Sequence, residues 1–200
     1  VTRLAEDRYL IVTVAAAARH DFNWIARNIP QDAHAVLSDL GASLATISIM
    51  GPNARALLTK LGDADLSNEA FPFATSQEID LAYARVRALR LTYVGELGWE
   101  LYVPVEMATG LFDALVEAGD DLGLRLAGFH ALESLRCEKG YRSWGHDISI
   151  EETPYQAGLG FAVKLDKNTD FIGRDAIAEA KGKKLTRRVV SITLDDPEPL

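Results

Sequence analysis

The spacing of apolar positions changes repeatedly along this chain, and the changes lay out its elements. Residues 8–15, Arg-Tyr-Leu-Ile-Val-Thr-Val-Ala, are a compact run rich in β-branched side chains and predict a mostly buried strand. Residues 18–29 switch to helical spacing: Phe22, Ile25 and Ile29 share a face, Trp24 lies beside them, and Pro30 stops the helix. Residues 33–39 and 44–50 predict a strand pair joined through Gly41, the second alternating as a half-buried strand does. Gly51-Pro52-Asn53 opens a helix that Gly62 ends, and Pro52 suits the first turn, where its missing N–H has no intrahelical partner. Residues 63–76 predict an ordered loop anchored by Phe71-Pro72-Phe73. Strands follow over 83–93 and 99–103, with 94–98 as a tight connection. A helix over 105–121 puts Met107, Leu111, Leu115 and Ala118 on one face, and a second over 128–139 is closed by Gly140. The last elements are a strand over 158–165, a short helix over 173–181 and a strand over 186–194.

Segregated hairpins and helices favour an α+β fold, antiparallel sheets with packed helices, over a doubly wound parallel one. The elements group into residues 1–75, residues 76–150 and a tail over 151–200. Val1-Thr2-Arg3-Leu4 reads as the middle of a strand, and the last residues stop just after one, so the chain reads as a fragment cut at both ends.

Composition narrows the classes. Of 200 residues, 48% are hydrophobic and 25% charged, which is the balance of a folded, soluble intracellular protein and excludes wholesale disorder. The single cysteine, Cys137, forms no internal disulfide and reads as a buried thiol, and no Cys/His spacing resembles a zinc site. No apolar run reaches the length of about 18 residues that a membrane span needs. Twenty-one basic against 29 acidic residues give a net charge of −8, which argues against nucleic acid as a partner.

Two segments concentrate candidate chemistry. In Tyr93-Val94-Gly95-Glu96-Leu97-Gly98-Trp99-Glu100, two glycines flank an acid between strands, with aromatics on both sides. A carboxylate there can accept two parallel N–H bonds from the edge of a pterin or guanine, and Tyr93 or Trp99 could stack on a flat ring. The same spacing also describes an ordinary hairpin turn with a solvated Glu96. In residues 133–147 a helix ends in a loop rich in aromatics and charge; Arg136 can meet a ligand carboxylate or carbonyl, or simply favour the helix end. Glu133 and Glu138 read as surface charges. His146-Asp147 with Glu151-Glu152 fits no metal motif, His20 and His130 read as structural, and Gly158-Leu159-Gly160 lacks the rest of a dinucleotide fingerprint.

Tyr93 to Glu100 resembles the signature of the glycine-cleavage T-protein family, the folate-dependent aminomethyltransferases. The resemblance continues, in order, through Gly51-Pro52-Asn53-Ala54, Ser134-Leu135-Arg136-Cys137-Glu138-Lys139-Gly140, Ala157-Gly158-Leu159-Gly160-Phe161 and Phe171-Ile172-Gly173-Arg174. Residues 63–73 and 138–144 look most like the C-terminal half of sarcosine and dimethylglycine dehydrogenases. The resemblance implies a folate-binding fold, incomplete at both ends, with residues 1–75 in a first domain, 76–150 in a second, and 151–200 returning to the first and starting a truncated C-terminal β domain. It implies tetrahydrofolate as the ligand, capturing an oxidised N-methyl unit as 5,10-methylenetetrahydrofolate, and FAD only in a covalently linked flavin domain outside these residues. A free-standing T-protein or a non-catalytic folate-binding relative are the alternatives; the Lys-Gly-Cys motif of one such relative is replaced here by Cys137-Glu138-Lys139-Gly140. Carried over residue by residue, Glu96 is the expected pterin anchor, Tyr93 a pocket residue, Arg136 the helix arginine beside the ligand, Phe161 a stacking residue where T-proteins often have Trp, and Arg188 a partner for folate's acidic tail. The family's catalytic Asp is expected upstream of Val1, so no residue here takes that role, and the fragment alone is expected to transfer little. The expected location is the bacterial cytoplasm or the mitochondrial matrix.

Overall fold

The computed structural model describes residues 1–196 and residue 198. Internal contacts divide the chain into two compact units: unit 1 is Val1–Thr92 with Glu96–Leu126, and unit 2 is Tyr93–Gly95 with the chain from Ala127 onward.

Unit 1 begins with a two-residue ribbon, β1 (Thr2–Arg3) against β2 (Tyr9–Leu10), followed by helix α1 (Ala18–Asn28). The long buried strand expected over residues 8–15 is not formed. Among the described residues none pairs as a strand with 11–15, and Ile11, Val12 and Val14 stay exposed. The core lies further on, in a four-stranded sheet of order β3-β6-β5-β4. Its strands are β3 (Leu44–Met50), β4 (Ser76–Leu81), β5 (Ala84–Leu89) and β6 (Gly98–Pro104), all antiparallel, with helix α2 (Ala54–Thr59) between β3 and β4 and helix α3 (Val105–Ala118) after β6. Residues 33–39 are irregular, and β3 takes β6 as its partner instead. The expected divide at residue 75 therefore lies inside unit 1.

Strand alternation explains the two faces of this sheet. Ile79 and Leu81, Ala84, Val86 and Ala88, and Trp99, Leu101 and Val103 all point to one side and are buried. Leu57 and Leu58 of α2 and Leu111 and Leu115 of α3 complete that core. The opposite side carries the charges: Arg87 pairs with its cross-strand partner Glu78, Arg85 reaches Asp80 at 3.4 Å, and the Tyr102 hydroxyl donates to Glu100 at 2.6 Å. Burial, then the Glu100 carboxylate, push the Tyr102 phenol well above its ordinary range. β4 escapes a hydrophobicity reading because only Ile79 and Leu81 of its six residues are apolar, and Tyr83, placed by sequence within a strand, sits fully exposed in the hairpin turn. The Phe71 anchor holds: its ring meets Trp99 edge-on, with centroids 6.1 Å apart, while Phe73 is exposed.

Unit 2 holds helices α4 (Phe129–Glu138) and α5 (Arg174–Gly182), joined by irregular chain. The strands expected over 158–165 and 186–194 do not form; Gly160–Ala162 is a single 3-10 turn, and Val190, Ile192 and Leu194 are exposed. Loop-to-loop bonds tie the unit together, including Val189 N–H to the Gln156 carbonyl at 2.9 Å and Arg174 to the Leu165 carbonyl at 2.7 Å.

Phe71 joins the loop before β4 to the buried Trp99 of β6, so Phe71→Ala is expected to cost about 3–5 kcal/mol, the usual range for emptying a buried aromatic position. Urea denaturation followed by Trp fluorescence measures this.

Candidate functional site

The first candidate segment folds as a series of bends between β5 and β6. Gly95 has φ +75°, a conformation that a Cβ resists, so the turn depends on glycine there. In unit 1, the Leu97 carbonyl accepts the Gly51 N–H at 2.8 Å. A Cβ on Gly98 would lie 2.8 Å from the Ile49 carbonyl oxygen, so the strand end closes only around glycine. Glu96, next to Leu97, is exposed, and its carboxylate has no hydrogen-bond or ion-pair partner among the described residues. Both of its oxygens are available to an incoming donor pair.

Unit 2 places Tyr93 in a different setting. Its ring stacks on Tyr141, with centroids 6.2 Å apart and planes 12° from parallel, and its hydroxyl donates to the Arg142 carbonyl at 2.9 Å. Lys139 lies across Gly95, since a Cβ there would fall within 2.5 Å of three of its side-chain carbons. The exit loop of α4 thus holds Tyr93 and Gly95 through Lys139, Tyr141 and Arg142.

That loop is itself held by Arg136, which is only 4% exposed. Its guanidinium donates to the Tyr141 carbonyl at 2.8 Å, to the Asp147 carboxylate and to the Glu133 carboxylate one helical turn back. Asp147 also accepts the Ser143 N–H at 3.0 Å. The Glu133 hydrogen bond, chiefly, raises the Arg136 guanidinium further above its ordinary value, and the bond from Arg136 lowers Glu133. Burial pushes the Asp147 carboxyl up, but the Ser143 N–H and Arg136 more than offset it and leave it low. One donor, Arg136 Nε, is buried without a partner.

The structure therefore brings Tyr93 and Arg136 together through Tyr141. Phe161 is 78% exposed, and Arg188 is exposed on the irregular segment beside Val189. Of four arginines that could attract an anion, three are engaged within the protein: Arg136 as described, Arg142 on the Gly140 and Ala157 carbonyls, and Arg187 on Glu152 at 3.3 Å. Arg188 alone of the four has no ion-pair or hydrogen-bond partner among the described residues. Glu133, expected as a surface charge, and Asp147, expected beside His146 in a cluster that fits no metal motif, are both partners of Arg136. The i, i+3 spacing of Glu133 and Arg136 was the available signal for the first. Cys137 is exposed, contrary to the buried thiol expected, because the buried position of this turn belongs to Arg136. Among the described residues no three His, Cys, Asp or Glu side chains gather as a metal site, and no helix is long and apolar enough to cross a membrane.

The profile of the family described as GCVT N-terminal domain matches residues 1–167. The chain belongs to this family. Over 200 residues it is 42% identical to 4-methylaminobutanoate oxidase (formaldehyde-forming) of Paenarthrobacter nicotinovorans, covering 100% of the chain and 24% of that protein. It is 41% identical over 195 residues to human mitochondrial sarcosine dehydrogenase, covering 97% of the chain and 21% of that protein. The chain thus spans about a quarter of the length of these relatives. A solved structure, the glycine cleavage system aminomethyltransferase T from Bartonella henselae, is similar with a TM-score of 0.65 and 27% identity, over 84% of this chain and 44% of that one. The T-protein resemblance and the α+β class expected from sequence are both shown by these matches and by the antiparallel sheet.

Within this GCVT-family chain, the depressed Glu133 and Asp147 carboxyls set a direction of pH dependence. Their folded values lie below the unfolded ones, so their contribution is fully present above about pH 4.5 and is lost as pH falls through the depressed values. Near-UV circular dichroism between pH 5 and 2 is expected to show that loss, and Arg136→Met to flatten it by removing the shared partner. An identical acid profile in the variant would contradict the pairing.

Proposed function

We propose that this chain is the tetrahydrofolate-binding, one-carbon-transfer region of a flavin-dependent enzyme of the sarcosine and dimethylglycine dehydrogenase type, in which the oxidised N-methyl unit is captured as 5,10-methylenetetrahydrofolate. The observation that carries this reading is the unpartnered Glu96 carboxylate on the turn of the family signature. The names and lengths of the relatives support the larger setting: the chain matches about a quarter of proteins named as N-methyl amine oxidases and dehydrogenases. That share leaves room for a covalently linked flavin domain, the proposed site of amine oxidation.

The residues present fit a folate. Glu96 accepts two N–H groups along the pterin edge, an arrangement that a charged acceptor makes strong and directional. Tyr93 lines the ring pocket, and the exposed face of Phe161 is available for stacking. Arg188 takes the acidic tail, an unpartnered cation among the described residues that meets an anionic ligand against an overall charge of −8. Arg136, whose two terminal nitrogens are engaged by Tyr141, Asp147 and Glu133, acts as a positioning residue. Folate supplies the nucleophilic amine that receives the one-carbon unit; the chain's own residues bind and orient it. A second reading, a free-standing aminomethyltransferase, is favoured by the likeness to the Bartonella T-protein. A dinucleotide-binding glycine fingerprint in the same polypeptide decides for the first reading.

Calorimetric titration of tetrahydrofolate into the full-length polypeptide that carries this chain tests the assignment. Glu96→Ala strips two pterin donors of their acceptor and is expected to weaken binding roughly 30-fold or more. Equal affinity of both proteins would remove Glu96 from the site.

A further inference from the structure

The Tyr93–Tyr141 stack points beyond the ligand contacts. We propose that Asp147 is a positioning residue of the folate ring pocket: acting through Arg136, it sets the orientation of Tyr141 and hence of Tyr93, without itself touching the ligand. The proposal rests on the folate reading above for its functional consequence but not for its structural part.

Three links carry it. Arg136 is buried and reaches two parts of its exit loop at once, the Tyr141 carbonyl at 2.8 Å and the Asp147 carboxylate. Asp147 in turn accepts the Ser143 N–H at 3.0 Å, and the Asp147 and Ile148 N–H groups return to the Ser143 carbonyl, so residues 143–148 close into a compact turn around that carboxylate. Tyr141, at the first attachment, and Arg142, just after it, are the residues that Tyr93 touches through its ring and its hydroxyl. The loop is therefore fixed on both sides of its contact with Tyr93. Tyr141 is also tied by its own N–H to the Arg136 carbonyl at 2.9 Å, so its backbone is held from both sides.

Charge makes Asp147 the sensitive member. A buried guanidinium requires compensation, and removing one of two carboxylates leaves it under-compensated. Glu133 sits on α4 with Arg136, so its loss leaves the loop attached; Asp147 is the carboxylate that belongs to the loop. One terminal nitrogen of Arg136, Nη1, donates both to the Tyr141 carbonyl and to the Asp147 carboxylate, while the other, Nη2, holds Glu133, so the charged partner on the loop shares its donor with the Tyr141 backbone.

The test compares Asp147→Asn and Asp147→Glu in the full-length polypeptide, both checked for native far-UV circular dichroism. Asn keeps an acceptor for the Ser143 N–H but loses the charge; Glu keeps the charge. Two readouts are taken: the near-UV tyrosine band without ligand, and tetrahydrofolate affinity by calorimetry. Asn is expected to diminish the tyrosine band and to weaken tetrahydrofolate about tenfold, while Glu retains most of both. Tyr93→Phe, which removes the bond to the Arg142 carbonyl, is expected to reduce the same band. A purely structural role for Asp147 predicts that Asn lowers the melting temperature but leaves the band and the affinity of the folded protein unchanged, and that result overturns the proposal. An unchanged tyrosine band overturns it whatever happens to folate. A diminished band with no tetrahydrofolate binding by the parent protein rejects the folate reading and leaves the Asp147–Tyr141–Tyr93 linkage supported.

Discussion

A single buried guanidinium organises the second unit of this protein. Arg136 is withdrawn from water, and the two carboxylates and one carbonyl around it offset its desolvation. Because those partners come from α4 and from both ends of its exit loop, placing one charge fixes the loop. Helix α4 has an otherwise exposed surface, with Phe129 and Leu135 open to solvent, so apolar packing does little of this work. The first unit is built the other way. Its order comes from alternation across β3, β6, β5 and β4, and its charges sit on the solvent face as cross-strand pairs.

The difference decides what the sequence could reveal. Alternation and helical spacing are local patterns, and the elements that depend on them were legible: α1, β3, α2, β6, α3, α4 and α5 all lie where the apolar positions predict. β4 was missed because Glu78 and Asp80 hide its strand character, although both pair across the hairpin with arginines. The runs at residues 8–15 and 186–194 carry strand-like composition but have little or no ladder, which composition cannot report. Strand propensity expresses fit to a pleated, half-buried surface, and without a neighbour there is no such surface.

The candidate residues divide in the same way. The turn that carries Tyr93 and Glu96 was legible because glycines and aromatics mark it. The setting of Arg136 was not, since a helix-end arginine has the same sequence whether it faces a ligand or two carboxylates. Asp147, eleven residues away, gives no periodic signal at all. Nor could charge counts show that Arg142 and Arg187 are engaged while Arg188 is not.

In the proposed folate reading, the pterin edge is bound by Glu96. A crystal structure of the full-length polypeptide with 5-formyltetrahydrofolate, a stable analogue of the ligand, tests it most directly. The expected result is two pterin N–H groups donating to the Glu96 carboxylate, with Arg136 still enclosed by Glu133 and Asp147. A folate bound elsewhere, with Glu96 left in solvent, would contradict it.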